Sequence, residues 1–211
     1  MNMAKRVARL GFLILFLGWI PTLHADDFTS PSKRLPMRFT SRLDTQIPLT
    51  LDFVNEDGTP VKLETLFQRK PVILNLVYFN CPMMCTEVLN GLVQTMKKMP
   101  LDLGKDYNVI TLSIDDREKP PLAKAKRALY LDRYHRADAG PGWSFLTGDK
   151  IAIQTLADAV GFRYKYYADI DQYDHALGLV ILTPSGKVAG YLKGVRFKPE
   201  ELRKALIQAA H

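Results

Sequence analysis

The chain predicts an α/β domain with a mixed central sheet, flanking helices and an added N-terminal β-hairpin. Three observations carry this. Apolar runs of strand length, Val72 to Phe79 and Tyr107 to Ile114, alternate with segments of helical period, Cys85 to Lys98 and Pro120 to His135. Strands joined by helical crossovers run parallel. Later, Leu177 to Leu182 and Val188 to Leu192 flank Thr183-Pro184-Ser185-Gly186-Lys187, a hairpin that adds antiparallel strands.

The first residues stand apart. Lys5, Arg6 and Arg9 precede the apolar run Leu10 to Ile20, then Pro21 and a segment ending at Ala25. A basic region before an apolar stretch of that length marks a secretory signal. The run is short of the roughly 20 apolar residues that a membrane span needs. Leu23, however, stands where a small residue normally precedes the cleavage site, so an uncleaved anchor over residues 7–23 is the alternative. Either reading exports the domain, as a periplasmic or membrane-tethered protein. Residues 26–48 hold Ser, Thr, Pro and Arg without apolar periodicity and read as a flexible tether. With 211 residues, 47% of them hydrophobic, residues 49–211 make one sizeable domain.

Within that domain, Leu49 to Val54 alternates, Asn55-Glu56-Asp57-Gly58 is a turn signal, and Val61 to Leu63 resumes the pattern, giving the hairpin. Glu64 to Phe67 is a short helical turn. The strand Val72 to Phe79 and the helix after it follow, then the strand Tyr107 to Ile114. Pro120-Pro121 opens the second helix. Gly140-Pro141-Gly142 is a loop before a short strand, Trp143 to Leu146. Asp149 caps a helix from Ile151 to Val160 that stops at Gly161. Phe162 to Tyr167 is extended, Asp171 to Ala176 is a loop, and Pro199 starts a last helix, Glu200 to Ala209. Reactive cysteines just past the first central strand make this arrangement thioredoxin-like.

The formal net charge of +7 includes the three basic residues of the leader. The remainder is mildly basic and spread out. No stretch interleaves basic and aromatic residues as a nucleic-acid surface does, so no nucleic-acid partner is expected.

The only two cysteines lie in Cys81-Pro82-Met83-Met84-Cys85, between a strand and a helix. A thiol at a helix N-terminus is favoured as thiolate, the form that does redox chemistry and binds soft metals. Residues four apart share a helix face. Three uses are open. A structural disulfide would close a loop too short to stabilise much. A catalytic dithiol is the second, although the spacer has three residues rather than the two of Cys-x-x-Cys. The third is a soft metal site for Cu(I), zinc or iron–sulfur chemistry, which requires another ligand.

Four histidines could supply that ligand. His24 lies in the leader, His211 is terminal, and His135 sits in a basic helix among Arg133, Tyr134 and Arg136. His175, in Asp171-Gln172-Tyr173-Asp174-His175-Ala176, precedes a central strand and approaches the cysteines in a thioredoxin-like sheet. Cys81, Cys85 and His175 would form a three-coordinate site suited to Cu(I), whereas structural zinc would want a fourth ligand. Asp174 is a candidate to orient His175, as carboxylates commonly hold a metal-bound imidazole. Asp115, ending a central strand, faces the same side of the sheet as a further ligand for Cu(II) or a helix cap. Met83 and Met84 read as apolar residues covering the site or packing on a partner, with soft transfer ligands as the alternative, and Tyr78 with Phe79 pack beneath it.

Asn75 to Cys85, with Ser113-Ile114-Asp115 and Asp174-His175 before a strand–turn–strand, resembles the Sco (SenC) family over roughly Leu49 to Ala209. Those are exported, thioredoxin-like copper-binding proteins that assist assembly of the binuclear copper centre, CuA, of cytochrome c oxidase. The resemblance implies that Cys81, Cys85 and His175 ligate copper and that Asp174 and Asp115 stand behind them. It further implies a metallochaperone rather than an enzyme, handling Cu(I) or also Cu(II). Its partners would be a copper-accepting subunit of a terminal oxidase and an upstream periplasmic copper donor, near the membrane. The competing expectation is a thiol–disulfide oxidoreductase that reduces an acceptor's cysteines before metallation.

Overall fold

The computed structural model describes residues 37–81, 84–136 and 139–211, except the side chains of Met84 and Cys85. The expected leader, the first part of the tether and residues 82–83 lie outside the described residues. Nine strands and four α-helices are described, in the order expected of a thioredoxin-like α/β domain. The hairpin pairs β1 (Asp52–Val54) with β2 (Pro60–Lys62). A 3₁₀ turn, Leu63–Leu66, leads to β3 (Val72–Val77). Helix α1 (Met84–Lys98) crosses to β4 (Asn108–Ser113), and α2 (Pro120–Tyr134) crosses to β5 (Trp143–Leu146). After α3 (Lys150–Ala159) come β6 (Tyr164–Tyr167), β7 (Gln172–His175), β8 (Gly178–Leu182), β9 (Val188–Lys193) and α4 (Pro199–Ala209).

The central sheet runs β5-β4-β3-β8-β9. Strands β3, β4 and β5 are parallel, while β8 and β9 are antiparallel. Every residue of β3, β4 and β8 is buried. That is why their sequences are largely apolar on both faces rather than strictly alternating, with Asn75, Thr111 and Ser113 buried among the apolar residues: both faces of the sheet are covered. Helix α1 contributes Val88, Leu89, Leu92, Val93 and Met96 to the core, the spacing of one helical face. Gly91 lies in the same helix because a Cβ there would strike the Val195 carbonyl.

Two features differ from the sequence expectation. Asp171 to Ala176 was expected as loop, but Gln172–His175 is a strand, paired antiparallel with β6 in a separate two-stranded ribbon. Its tyrosines explain this. Tyr166 faces Tyr173 across the ribbon at 4.9 Å, and Tyr164 lies 6.1 Å from the same ring; cross-strand aromatic pairs stabilise antiparallel strands. Second, residues 37–48 are tied to the fold. Thr40 donates its N–H to Gly161 O at 2.8 Å, Asp44 to Val188 O at 2.9 Å and Ile47 to Gly186 O at 3.0 Å. Phe39 packs on Phe162 and Tyr191, and Ile47 is 1% exposed. Gly161, in the left-handed region at φ +67°, passes so close to Thr40 that a side chain would not fit.

Candidate functional site

The C-terminal ends of parallel strands form the crevice where α/β sheets bind ligands. Here β3 ends and continues through Tyr78, Phe79 and Asn80 to Cys81. Tyr78 and Phe79 are buried, as expected of residues beneath the site, and Phe79 meets Phe145 at 5.9 Å. Cys81 is half-buried and donates its N–H to the Tyr78 carbonyl at 3.3 Å. Cys85 occupies the first turn of α1; its side chain lies outside the described residues.

The ribbon β6–β7 brings His175 to this crevice. The ring is 7% exposed, stacked on Phe162 at 5.7 Å and met edge-on by Tyr78 at 6.1 Å. Tyr78 thus joins the two halves: its ring touches His175 and its carbonyl holds Cys81. His175 Nδ1 lies 2.8 Å from Ala176 O. A carbonyl only accepts, so Nδ1 carries a proton, and in the neutral ring Nε2 is the nitrogen that can ligate a metal. The main chain therefore sets the tautomer. Asp174, proposed from sequence to orient the ring, is half-exposed, one residue away on a strand paired to Lys165, where consecutive side chains take opposite faces.

Asp115 is engaged by Arg117. Arg117 Nε donates to Oδ1 at 2.8 Å, Nη2 to Oδ2 at 2.7 Å, and the Arg117 N–H to Oδ1 at 3.0 Å. The carboxylate closes a turn of its own loop and does not cap α2, whose N-cap is Lys119. Burial alone would raise the Asp115 carboxyl. The hydrogen bonds from Arg117, its charge and the Tyr173 hydroxyl outweigh that and hold it below the ordinary carboxylate range. Tyr173 is pushed up in turn, by burial and then by the Asp115 charge. Tyr78, Asn80, Asp115, Arg117, Ile170 and Gln172 are among the residues lining a cleft of about 550 Å³ beside the cysteine loop.

Two residues absent from the sequence reading stand out. Glu118 is 6% exposed and accepts the N–H groups of Phe79 and Asn80 at 2.7 and 2.8 Å and the Ser113 hydroxyl at 2.6 Å. Arg117 reaches on from Asp115 to Asp171 at 2.7 Å and to the Tyr166 hydroxyl at 3.1 Å. Their signal in the sequence is the charged run Asp115-Asp116-Arg117-Glu118 directly after an apolar strand, at the end of the sheet where ligands bind. His135 is exposed, in the left-handed region at the end of α2. Among the described residues no three His, Cys, Asp or Glu side chains are grouped to hold a metal ion; the set read from sequence includes Cys85, whose side chain is not among them. Among the described residues no helix is long and apolar enough to cross a membrane.

A family model described as SCO1/SenC matches residues 40–211. No match is found among curated proteins. Among solved structures, a candidate electron transfer protein of Aquifex aeolicus VF5 is 26% identical, with 79% of this chain and 94% of that one covered and a TM-score of 0.69. BsSco, described with a disulfide switch and as a member of the Sco family of cytochrome c oxidase assembly proteins, is 24% identical, covering 82% and 98%, with a TM-score of 0.60. ScoI of Bradyrhizobium japonicum, described with copper bound, is 20% identical, covering 77% and 99%, with a TM-score of 0.58. The family match runs from the bonded segment at Thr40 through the cysteine loop, the charged loop and the His175 ribbon to the last residue, and on that extent the chain belongs to the SCO1/SenC family.

Proposed function

We propose that this chain is an exported copper carrier that binds copper through the thiolates of Cys81 and Cys85 and Nε2 of His175. It then passes the ion by ligand exchange to a copper enzyme, with the CuA centre of cytochrome c oxidase as acceptor. One observation carries the reading: the buried imidazole is fixed through Nδ1 by the Ala176 carbonyl, which makes Nε2 the nitrogen to assign to copper, and it packs on the tyrosine whose carbonyl holds Cys81. Two thiolates and a neutral imidazole are the donor set that soft Cu(I) prefers. Three ligands leave one direction from which an acceptor thiolate attacks, as a carrier needs. Family membership and the copper bound by B. japonicum ScoI support copper as cargo; the family description of BsSco supports the oxidase as destination. The basic and apolar leader supports export and residence near the membrane, where an upstream periplasmic donor and the acceptor subunit would meet the protein.

A second reading, a thiol–disulfide oxidoreductase acting on the acceptor's cysteines, is favoured by the placement of Cys85 in the first turn of α1 and by the disulfide switch described for BsSco. One experiment separates them. Reduced protein is titrated with Cu(I) against a competing chelator, and His175→Ala is expected to weaken binding by about tenfold or more, the scale of losing a well-held metal contact. Unchanged affinity in that variant overturns the ligand assignment. In a copper-free assay on a disulfide-bonded acceptor peptide, rapid turnover retained by His175→Ala would favour the second reading.

A further inference from the structure

We propose that the loop Asp115 to Glu118 is a two-armed brace that holds both halves of the site in register. Glu118 fixes the main chain leading into Cys81, and Arg117 fixes the ribbon that carries His175. Both are positioning residues, and the copper-binding arm of the test rests on the reading above.

The Glu118 arm begins with a carboxylate almost wholly out of water. Such a group is tolerated only when its oxygens are hydrogen-bonded. No described ion pair includes it, and its partners are all on the two strand ends. Oε2 receives the Phe79 N–H at 2.7 Å and the Ser113 hydroxyl at 2.6 Å, and Oε1 receives the Asn80 N–H at 2.8 Å. Main-chain N–H groups bonded to an ionised acceptor make short, strong contacts. These two belong to consecutive residues immediately before Cys81, so the carboxylate sets where the cysteine loop leaves the sheet. A glutamine has the same shape but one acceptor, and it would turn an amide N–H toward a main-chain N–H.

The Arg117 arm reaches the other half. Its guanidinium forks onto buried Asp115 at the end of β4, then bonds Asp171 in the β6–β7 turn and the Tyr166 hydroxyl on β6, lying 4.9 Å above the Tyr166 ring. An isolated exposed ion pair would hold little, and Arg117 is 52% exposed. Here one planar group makes a bidentate contact to a residue 8% exposed and continues to two more partners, which a lysine ammonium cannot reproduce. A two-stranded ribbon is marginal by itself, so its position over the crevice depends on contacts of this kind.

The test has a copper-free and a copper-bound readout, both on the full chain. Amide hydrogen exchange without metal is expected to speed up by about tenfold in β6–β7 for Arg117→Lys, and at Phe79 and Asn80 for Glu118→Gln, with β3 and β4 unchanged as the check on folding. Should Glu118→Gln not fold, Glu118→Asp keeps the charge with a shorter reach and is expected to speed the same two amides. In Cu(I) competition, Arg117→Lys is expected to weaken binding by about tenfold, and that loss should vanish in the His175→Ala background. The loss from Glu118→Gln should persist there. Unchanged exchange in the ribbon, or an Arg117 effect that adds fully to His175→Ala, overturns the Arg117 arm. Unchanged exchange at Phe79 and Asn80 overturns the Glu118 arm. If His175→Ala leaves copper binding intact, the copper reading falls and the exchange data alone decide the brace.

Discussion

At the scale of single residues, individual polar groups of the candidate site are fixed by their neighbours. The Ala176 carbonyl holds His175 at Nδ1; Arg117 engages both oxygens of Asp115. Asp115 therefore serves the structure through a charge, and its effect follows pH with a definite sign. Its carboxyl is depressed in the fold, so the stability it contributes is fully present above the unfolded value of about 3.9 and fades as pH falls through the folded one. Asp115→Asn is expected to lower stability by about 1 kcal/mol at pH 7, a figure discounted for the exposed Arg117 partner. The difference from the parent should shrink below about pH 4, as read from urea unfolding at several pH values. A difference independent of pH would sink this account. The two cysteines and His175 stand out in the sequence because their chemistry is rare and their spacing informative, and the fold sets Tyr78 between Cys81 and His175. Glu118 and Arg117 do not stand out, because charged residues after a strand read as surface until the fold shows what they touch.

Elements were legible where one physical signal dominated. Strand β8 announces itself as an unbroken apolar run, β3 and β4 as largely apolar ones, and α3 by its cap: Asp149 accepts from the Ala152 N–H at 2.9 Å, as the sequence implies. Asp149→Ala should lower stability by about 1 kcal/mol and leave the site unaffected, measured as a fall in Tm of several degrees with unchanged metal affinity. No fall would mean that α3 is held by its buried face alone. Strand β7 was missed because it is short, polar and uncovered on one side, so its stability comes from tyrosines on β6 and from Arg117 rather than from a local pattern. That is the element which carries His175, and its strand geometry sets the ring's direction more firmly than a loop would.

At the scale of the whole molecule, the order of helices and strands predicts the sheet, but not how the segment before it behaves. Residues 37–48 read as linker because their bonds to the sheet are made by main-chain groups that composition does not report. Ile47 is the segment's fully buried side chain, beside the half-buried Phe39, and Ile47→Ala is expected to destabilise the domain by about 2–5 kcal/mol in denaturant unfolding; a loss below about 1 kcal/mol would show that Ile47 does not anchor the segment. Val188, the first residue of β9, accepts from Asp44 and donates to Thr45, so the segment pairs with the start of the strand that ends the sheet. An uncovered end strand is a template for other chains. Covering its first residue shortens the edge that remains open to edge-to-edge aggregation. A cut between residues 37 and 48 would therefore show first as loss of solubility in a crowded compartment, before any change in the chemistry at Cys81.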